Sequence, residues 1–211
     1  MGSLSLFTII IIAANALISY KGFNDYGFFE RYKFNIGSIK RGEQFRMFSS
    51  GFLHADMQHL LFNMLTLYFF ADRVIYFVGE FNFLIVYIGS LGLGSIFSYY
   101  FHQNEYQYSA VGASGAVMGV LYSAILVDPM MKIYGFIPAF IFGIVYLLYS
   151  IYGMKNRVGN IGHDAHFGGA VGGYVITLIF KPSLFETDLL MVGLLAIPIV
   201  VLFVMHKLGK I

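Results

Sequence analysis

Seven apolar stretches, at about 3–20, 57–78, 83–101, 114–127, 134–152, 164–180 and 188–206, constrain this chain more than any other feature. Most are long enough, as helices, to cross a hydrocarbon core roughly 30 Å thick. Backbone in lipid must satisfy its own hydrogen bonds, which rules out open strands. Of the 211 residues 58% are hydrophobic and only 11% charged, and a soluble domain of this size has no interior large enough to hide that surface. The reading is an all-α polytopic membrane protein with seven helices.

The segment from Lys21 to Asp56 is the longest connection and carries nearly half of the Lys and Arg residues, with Phe and Tyr between them. That composition suits an ordered loop lying on or partly in the membrane interface. The remaining connections are short and leave no room for a second soluble domain. Pro138 and Pro198 fall inside the fifth and seventh stretches and are expected to kink them. The first stretch has no Lys or Arg before its apolar run, so it is a poor signal peptide. A net charge of +2 with no basic run argues against nucleic acid as a partner, and the absence of cysteine excludes thiol chemistry. With no Trp, interfacial anchoring falls to the 16 Tyr and 23 Phe.

Ser114 lies between glycines at the start of the fourth stretch, which Asp128-Pro129 ends. From Val127 back to Ser114 is about 21 Å of helix. In the sixth stretch, Phe180 back to His166 is about 22 Å, and in the second, Ala71 back to His59 is about 20 Å. The even-numbered helices run in one direction, so Ser114, His166 and His59 share a layer beneath one membrane face, with Asn63 a turn deeper below His59. Gly115/Gly119, Gly168/Gly172 and Gly169/Gly173 are small-xxx-small pairs that let helix backbones approach.

A serine hydroxyl is a weak nucleophile until a neighbouring base takes its proton, and a neutral imidazole suits that task. Ser114 and His166 are the candidate pair. The side chains of His59 and Asn63, with the backbone N–H groups of Ala113 and Ser114 at a helix start, are candidate donors to an oxyanion. Asp164, two residues before His166, points away on a helix, so the expectation is a dyad. His54 and His163 are expected in surface loops, without chemistry.

Gly112-Ala113-Ser114-Gly115, the run His54-x4-His59-x3-Asn63-Met64, and Ala165-His166-Phe167-Gly168-Gly169-x2-Gly172-Gly173 resemble the motifs of the rhomboid intramembrane serine proteases. The likeness covers the first six helices, and Arg46 after Phe45 resembles the family's aromatic–Arg pair, with Phe for Trp. The resemblance implies a six-helix bundle, residues 1–182 including the loop 21–56, and an additional C-terminal helix and tail at 183–211. It implies Ser114 as nucleophile, His166 as general base, and His59, Asn63, Gly112 and Ala113 around the oxyanion and substrate. It further implies substrates that are transmembrane proteins cut in or near their spans, membrane lipids as surroundings, and no cofactor or metal. Met118 departs from the pattern, standing where the family usually has a Tyr or Phe against the histidine ring.

No His-Glu-x-x-His is present for a zinc protease, only Asp164 offers an intramembrane carboxylate, and residue 116 is Ala, so Gly-x-Ser-x-Gly is not met. Two other classes compete: an inactive rhomboid-like protein that binds membrane clients, and a proton or ion relay, for which no inverted repeat is visible. Ten basic residues, Lys21, Arg31, Lys33, Lys40, Arg41, Arg46, Lys155, Arg157, Lys207 and Lys210, fall on the side of Ser114. Only Arg73, Lys132 and Lys181 fall on the other. Counting positives puts the Ser114 side in the cytoplasm. The resemblance implies the opposite, an extracytoplasmic active site in a plasma or inner membrane, and that orientation is the one adopted.

Overall fold

The computed structural model describes residues 4–159 and 161–211. Its long helices are α1 (Leu6–Asn24), α2 (Met57–Val78), α3 (Glu80–His102), α4 (Ser114–Val127), α5 (Ala139–Asn156), α6 (His163–Phe180) and α7 (Leu189–Lys207). Five of them, α1, α2, α3, α5 and α7, are long and apolar enough to cross a membrane. The protein is an all-α, multi-pass membrane protein. The expected start of the first helix at residue 3 lies outside the described residues.

Glycine decides how the centre packs. A Cβ on Gly169 would overlap the Gly115 carbonyl, and one on Gly173 would overlap the Gly119 carbonyl, so α4 and α6 meet backbone to backbone. On α3, a Cβ at Gly94 would come within 2.8 Å of the Ala165 carbonyl oxygen, and on α6 one at Gly172 would come within 2.9 Å of Ser90 Cα. Lipid tails are as apolar as leucine, so close van der Waals packing of this kind holds membrane helices together. Ser123 and Thr177 hydroxyls add a buried 2.6 Å hydrogen bond between α4 and α6. Every residue of α4 after Ser114 is buried.

The far ends of the even helices meet as well. Arg73 on α2 pairs with Asp128 after α4 at 3.3 Å, and Lys181 after α6 reaches the Phe77 carbonyl at 3.5 Å. The three helices therefore run parallel, as their depth arithmetic requires.

Two boundaries differ from expectation. Lys21 belongs to α1, which continues to Asn24 before the loop begins. Pro138 does not kink a helix: it precedes α5, in a hairpin where Lys132–Ile133 pairs with Ile137–Pro138. Gly135 at φ 79° supplies the turn, and proline's missing N–H costs nothing ahead of a helix. Pro198 does lie inside α7.

The loop to Asp56 is ordered. It holds short helices at Tyr26–Tyr32, Ile36–Lys40 and Arg46–Ser49, and Phe34–Asn35 pairs antiparallel with Ser109–Ala110. Arg46, 7% exposed, ties it together: Nε donates to Glu43 Oε2 at 2.7 Å, and Nη1 to the Glu30 and Lys33 carbonyls at 2.7 and 3.0 Å.

Candidate active site

Ser114 opens α4, directly after a turn in which Gly112 adopts φ 132°, a region that side chains disfavour. The Gly112 N–H donates to the Ser50 carbonyl at 3.0 Å, which holds the turn against the interfacial loop. A Cβ on Gly112 would meet His59 Cε1 at 2.6 Å and Nε2 at 2.8 Å, with Ser114 Oγ at 3.6 Å. The missing side chain is what lets the His59 imidazole and the Ser114 hydroxyl share one small space. Asp56 caps α2 by accepting from the His59 N–H at 2.8 Å, fixing where that histidine leaves the helix. Asn63 lies one turn deeper, 6% exposed, and among the described residues its Nδ2 is buried without a partner. An unpaired buried donor is costly unless a ligand or transient charge uses it.

His166 sits in the first turn of α6. A Cβ on Gly115 would lie 3.2 Å from the Ala165 carbonyl oxygen, so the backbones touch one residue from Ser114 and one from His166. Among the described residues the Ser114 hydroxyl and the His166 ring share no hydrogen bond; such bonds are often long in unliganded sites and tighten with substrate. The partner that His166 does have is one the sequence reading does not name: Tyr146 Oη on α5 lies 2.7 Å from Nδ1, with the two ring planes inclined at 28°. Nothing in the sequence marks Tyr146 among its tyrosine neighbours. Met118, 8% exposed, lies one turn beyond Ser114 in α4.

Both histidines expected at the surface are buried. His163, 3% exposed, starts α6, with Nε2 3.2 Å from the Val158 carbonyl. His54, fully buried, is a hub of the site's scaffold. The Ala113 N–H donates to its Nε2 at 3.3 Å, its Nδ1 meets Ser19 Oγ at 2.8 Å, and Ser19 donates to the Phe52 carbonyl at 3.0 Å. The chain of donors fixes the tautomer with the proton on Nδ1. Burial, then the neighbouring His59 imidazole, push the His54 pKa down to about 3 against the pull of Asp56. This bond also corrects the expectation of an unpaired Ala113 N–H, because the loop folds a buried acceptor onto it. Asp164 is turned from His166 as expected, its carboxylate 3.7 Å from His102 Nε2 on α3.

The described residues hold no cluster of three or more metal-binding side chains. A rhomboid-domain family model matches residues 41–183, from the interfacial loop through α6. The chain belongs to the rhomboid family. Rhomboid protease GluP of Bacillus subtilis is 32% identical over 136 residues, 64% of this chain and 26% of that protein. The putative rhomboid protease YdcA of the same organism is 38% identical over 87 residues, 41% of this chain and 42% of that protein. RHOMBOID-like protein 12, mitochondrial, of Arabidopsis thaliana is 28% identical over 182 residues, 77% of this chain and 54% of that protein. This rhomboid thus spans from about a quarter to about half of the length of these relatives.

Proposed function

We propose that this rhomboid is an intramembrane serine endopeptidase that cuts transmembrane proteins in or near their spans, using Ser114 and His166 as a dyad. The observation that carries the reading is the crowding at one depth. Ser114 Oγ and the His59 imidazole lie about a side-chain-free Gly112, the orphaned Asn63 Nδ2 lies a turn below, and His166 arrives on a helix in backbone contact with α4. Ser114 attacks the scissile carbonyl as its proton passes to His166 Nε2. The oxyanion takes hydrogen bonds from His59, from Asn63 Nδ2 and from the Ser114 N–H, the backbone donor that the Ala113–His54 bond leaves. His166 then gives the proton to the departing amine, and water, activated by the same ring, releases the acyl group from Ser114. No cofactor takes part. Residues 1–182 form the catalytic domain, 183–211 add one span, and the site opens to the extracytoplasmic side of a plasma or inner membrane.

The test is to incubate the purified chain in detergent with tagged single-span substrates and a fluorophosphonate probe, beside Ser114→Ala and His166→Ala. The wild type is expected to label and to cut at least one substrate, and both variants to cut none. Equal cutting by all three, or labelling that survives Ser114→Ala, removes the assignment. Reporter fusions at Lys181 and at the C-terminus test the orientation.

A further inference from the structure

A histidine that acts as a base through one nitrogen needs the other nitrogen held, because the bond there decides which atom carries the proton. In serine hydrolases with three members, a buried carboxylate does this. Here the nearest carboxylate in sequence, Asp164, makes no hydrogen bond to His166 among the described residues and lies 3.7 Å from His102 Nε2 on α3, and the residue one turn beyond Ser114 is the apolar Met118. Among the described residues, Tyr146 is the only side chain hydrogen-bonded to His166.

We propose that the Tyr146 phenol oxygen accepts the Nδ1 proton of His166, which makes Tyr146 the positioning residue that leaves Nε2 free as the base. The inference rests on the reading of His166 as the general base. The 2.7 Å separation is a good hydrogen bond in either direction. Only one direction suits the chemistry: were the phenol the donor, the ring proton would sit on Nε2, and that nitrogen could not receive the serine proton. The phenol is also well held. Phe142, one helical turn earlier, stacks on the Tyr146 ring at 5.8 Å and 20°. Tyr146 and His166 are themselves nearly parallel, with centroids 6.3 Å apart. The phenol thereby meets the imidazole end-on, and what α5 supplies is an acceptor for Nδ1. A phenol is neutral at working pH, so it fixes orientation and tautomer without the charge that a carboxylate brings to the imidazolium.

The test reads the tautomer directly. The full chain is labelled with 15N-histidine in detergent micelles, and the ring nitrogens of His166 are assigned by comparison with His166→Ala. Above pH 8 the wild type is expected to show a protonated Nδ1 and a bare Nε2. Tyr146→Phe keeps the ring and loses only the oxygen; it is expected to give a mixture of tautomers. In the cleavage assay it should lower kcat about tenfold, the worth of one ordinary hydrogen bond, with KM within about twofold. A wild-type spectrum with the proton on Nε2 overturns the proposal whether or not the variant folds, and so does a Tyr146→Phe spectrum identical to wild type. A bare Nε2 in a wild type that neither labels nor cuts would sink the protease reading and leave the assignment of Tyr146 standing.

Discussion

Two seams between helices run through this molecule, and they are built on opposite plans. Where α4 meets α6, glycines 115, 119, 169 and 173 remove the side chains and the backbones touch. Where α7 meets the bundle, side chains fill the space: Val192, Leu195 and Leu202 pack into a cluster with Leu147 and Phe167. There the Tyr122 and Tyr174 hydroxyls donate to the Leu195 and Val192 carbonyls at 3.0 and 2.8 Å. Of α7 only Val192, Leu195, Pro198 and Leu202 are buried, against every residue of α4 beyond Ser114. A backbone seam cannot slide or spread, because no rotamer can absorb the change; a side-chain seam can repack. The two residues of the proposed dyad, Ser114 and His166, lie at the end of the rigid seam. The family match ends at residue 183, before the compliant one begins.

The contrast is broken most severely by filling the rigid seam. Gly169→Leu would drive a whole side chain into the Gly115 carbonyl, and the expected outcome is no monodisperse protein on size-exclusion chromatography. Gly169→Ala is the gentler version and should cost about 3 kcal/mol, the upper end for overpacking, since the atom it meets belongs to backbone. A Gly169→Ala protein that melts with the wild type would show that this seam repacks too.

Gly112→Ala tests the rim of the site. The methyl would meet His59, and φ 132° would strain any L-residue by roughly 1–3 kcal/mol. Cleavage is expected to fall by more than tenfold with only a modest fall in melting temperature, because the turn lies at the end of α4 and not within its packing.

A smaller effect follows from His54. Its pKa is lowered from 6.5 to about 3, so the unfolded chain takes up a proton there before the folded chain does. The sign is then fixed: His54 favours the folded state fully above about pH 6.5, and that contribution drains away as pH falls from 6.5 towards 3. Protonation would also set a new Nε2–H against the Ala113 N–H. The melting temperature should fall over that window, and the fall should be shallower in His54→Gln, whose amide oxygen can accept from Ala113 without titrating.

The rigid seam could be read in the sequence and most of what surrounds the site could not. Small residues every fourth position, and apolar runs counted back from Asp128, Asp72 and Lys181, are local signals, and they gave the parallel helices and the common depth. Pro138 was misread because Tyr134-Gly-Phe-Ile is as apolar as a helix, and nothing local distinguishes a hairpin at that point. His54 and His163 look like loop histidines in a linear chain; His54 is buried because the loop, through Arg46 and the pairing of residues 34–35 with 109–110, folds back over the bundle, and His163 because its ring lies against Gly153 and Tyr149 of α5. Tyr146 was invisible for a similar reason. Its partner is 20 residues away on another helix, and only the rotation of α5 separates it from Tyr149 and Tyr152.

The smallest effect is the sharpest control. Gly193 lies in α7 with nothing within 4 Å of where a Cβ would be, whereas a Cβ at Gly119 in α4 would overlap the Ser90 hydroxyl and come within 2.8 Å of the Gly169 carbonyl. The same substitution to alanine should therefore act in opposite directions. At Gly193 it removes a residue that entropy disfavours in a helix and introduces no contact, so a gain of about 0.5–1 kcal/mol is expected, with cleavage unchanged. At Gly119 that same gain is outweighed by overlap with two neighbouring helices, and both melting temperature and cleavage should drop. Measured side by side, the pair removes helix propensity from the comparison and leaves only the seam. If Gly193→Ala were to impair cleavage as Gly119→Ala does, α7 would be coupled to the proposed site as tightly as α4, and the division of this bundle into a rigid wedge and a compliant flank would have to be given up.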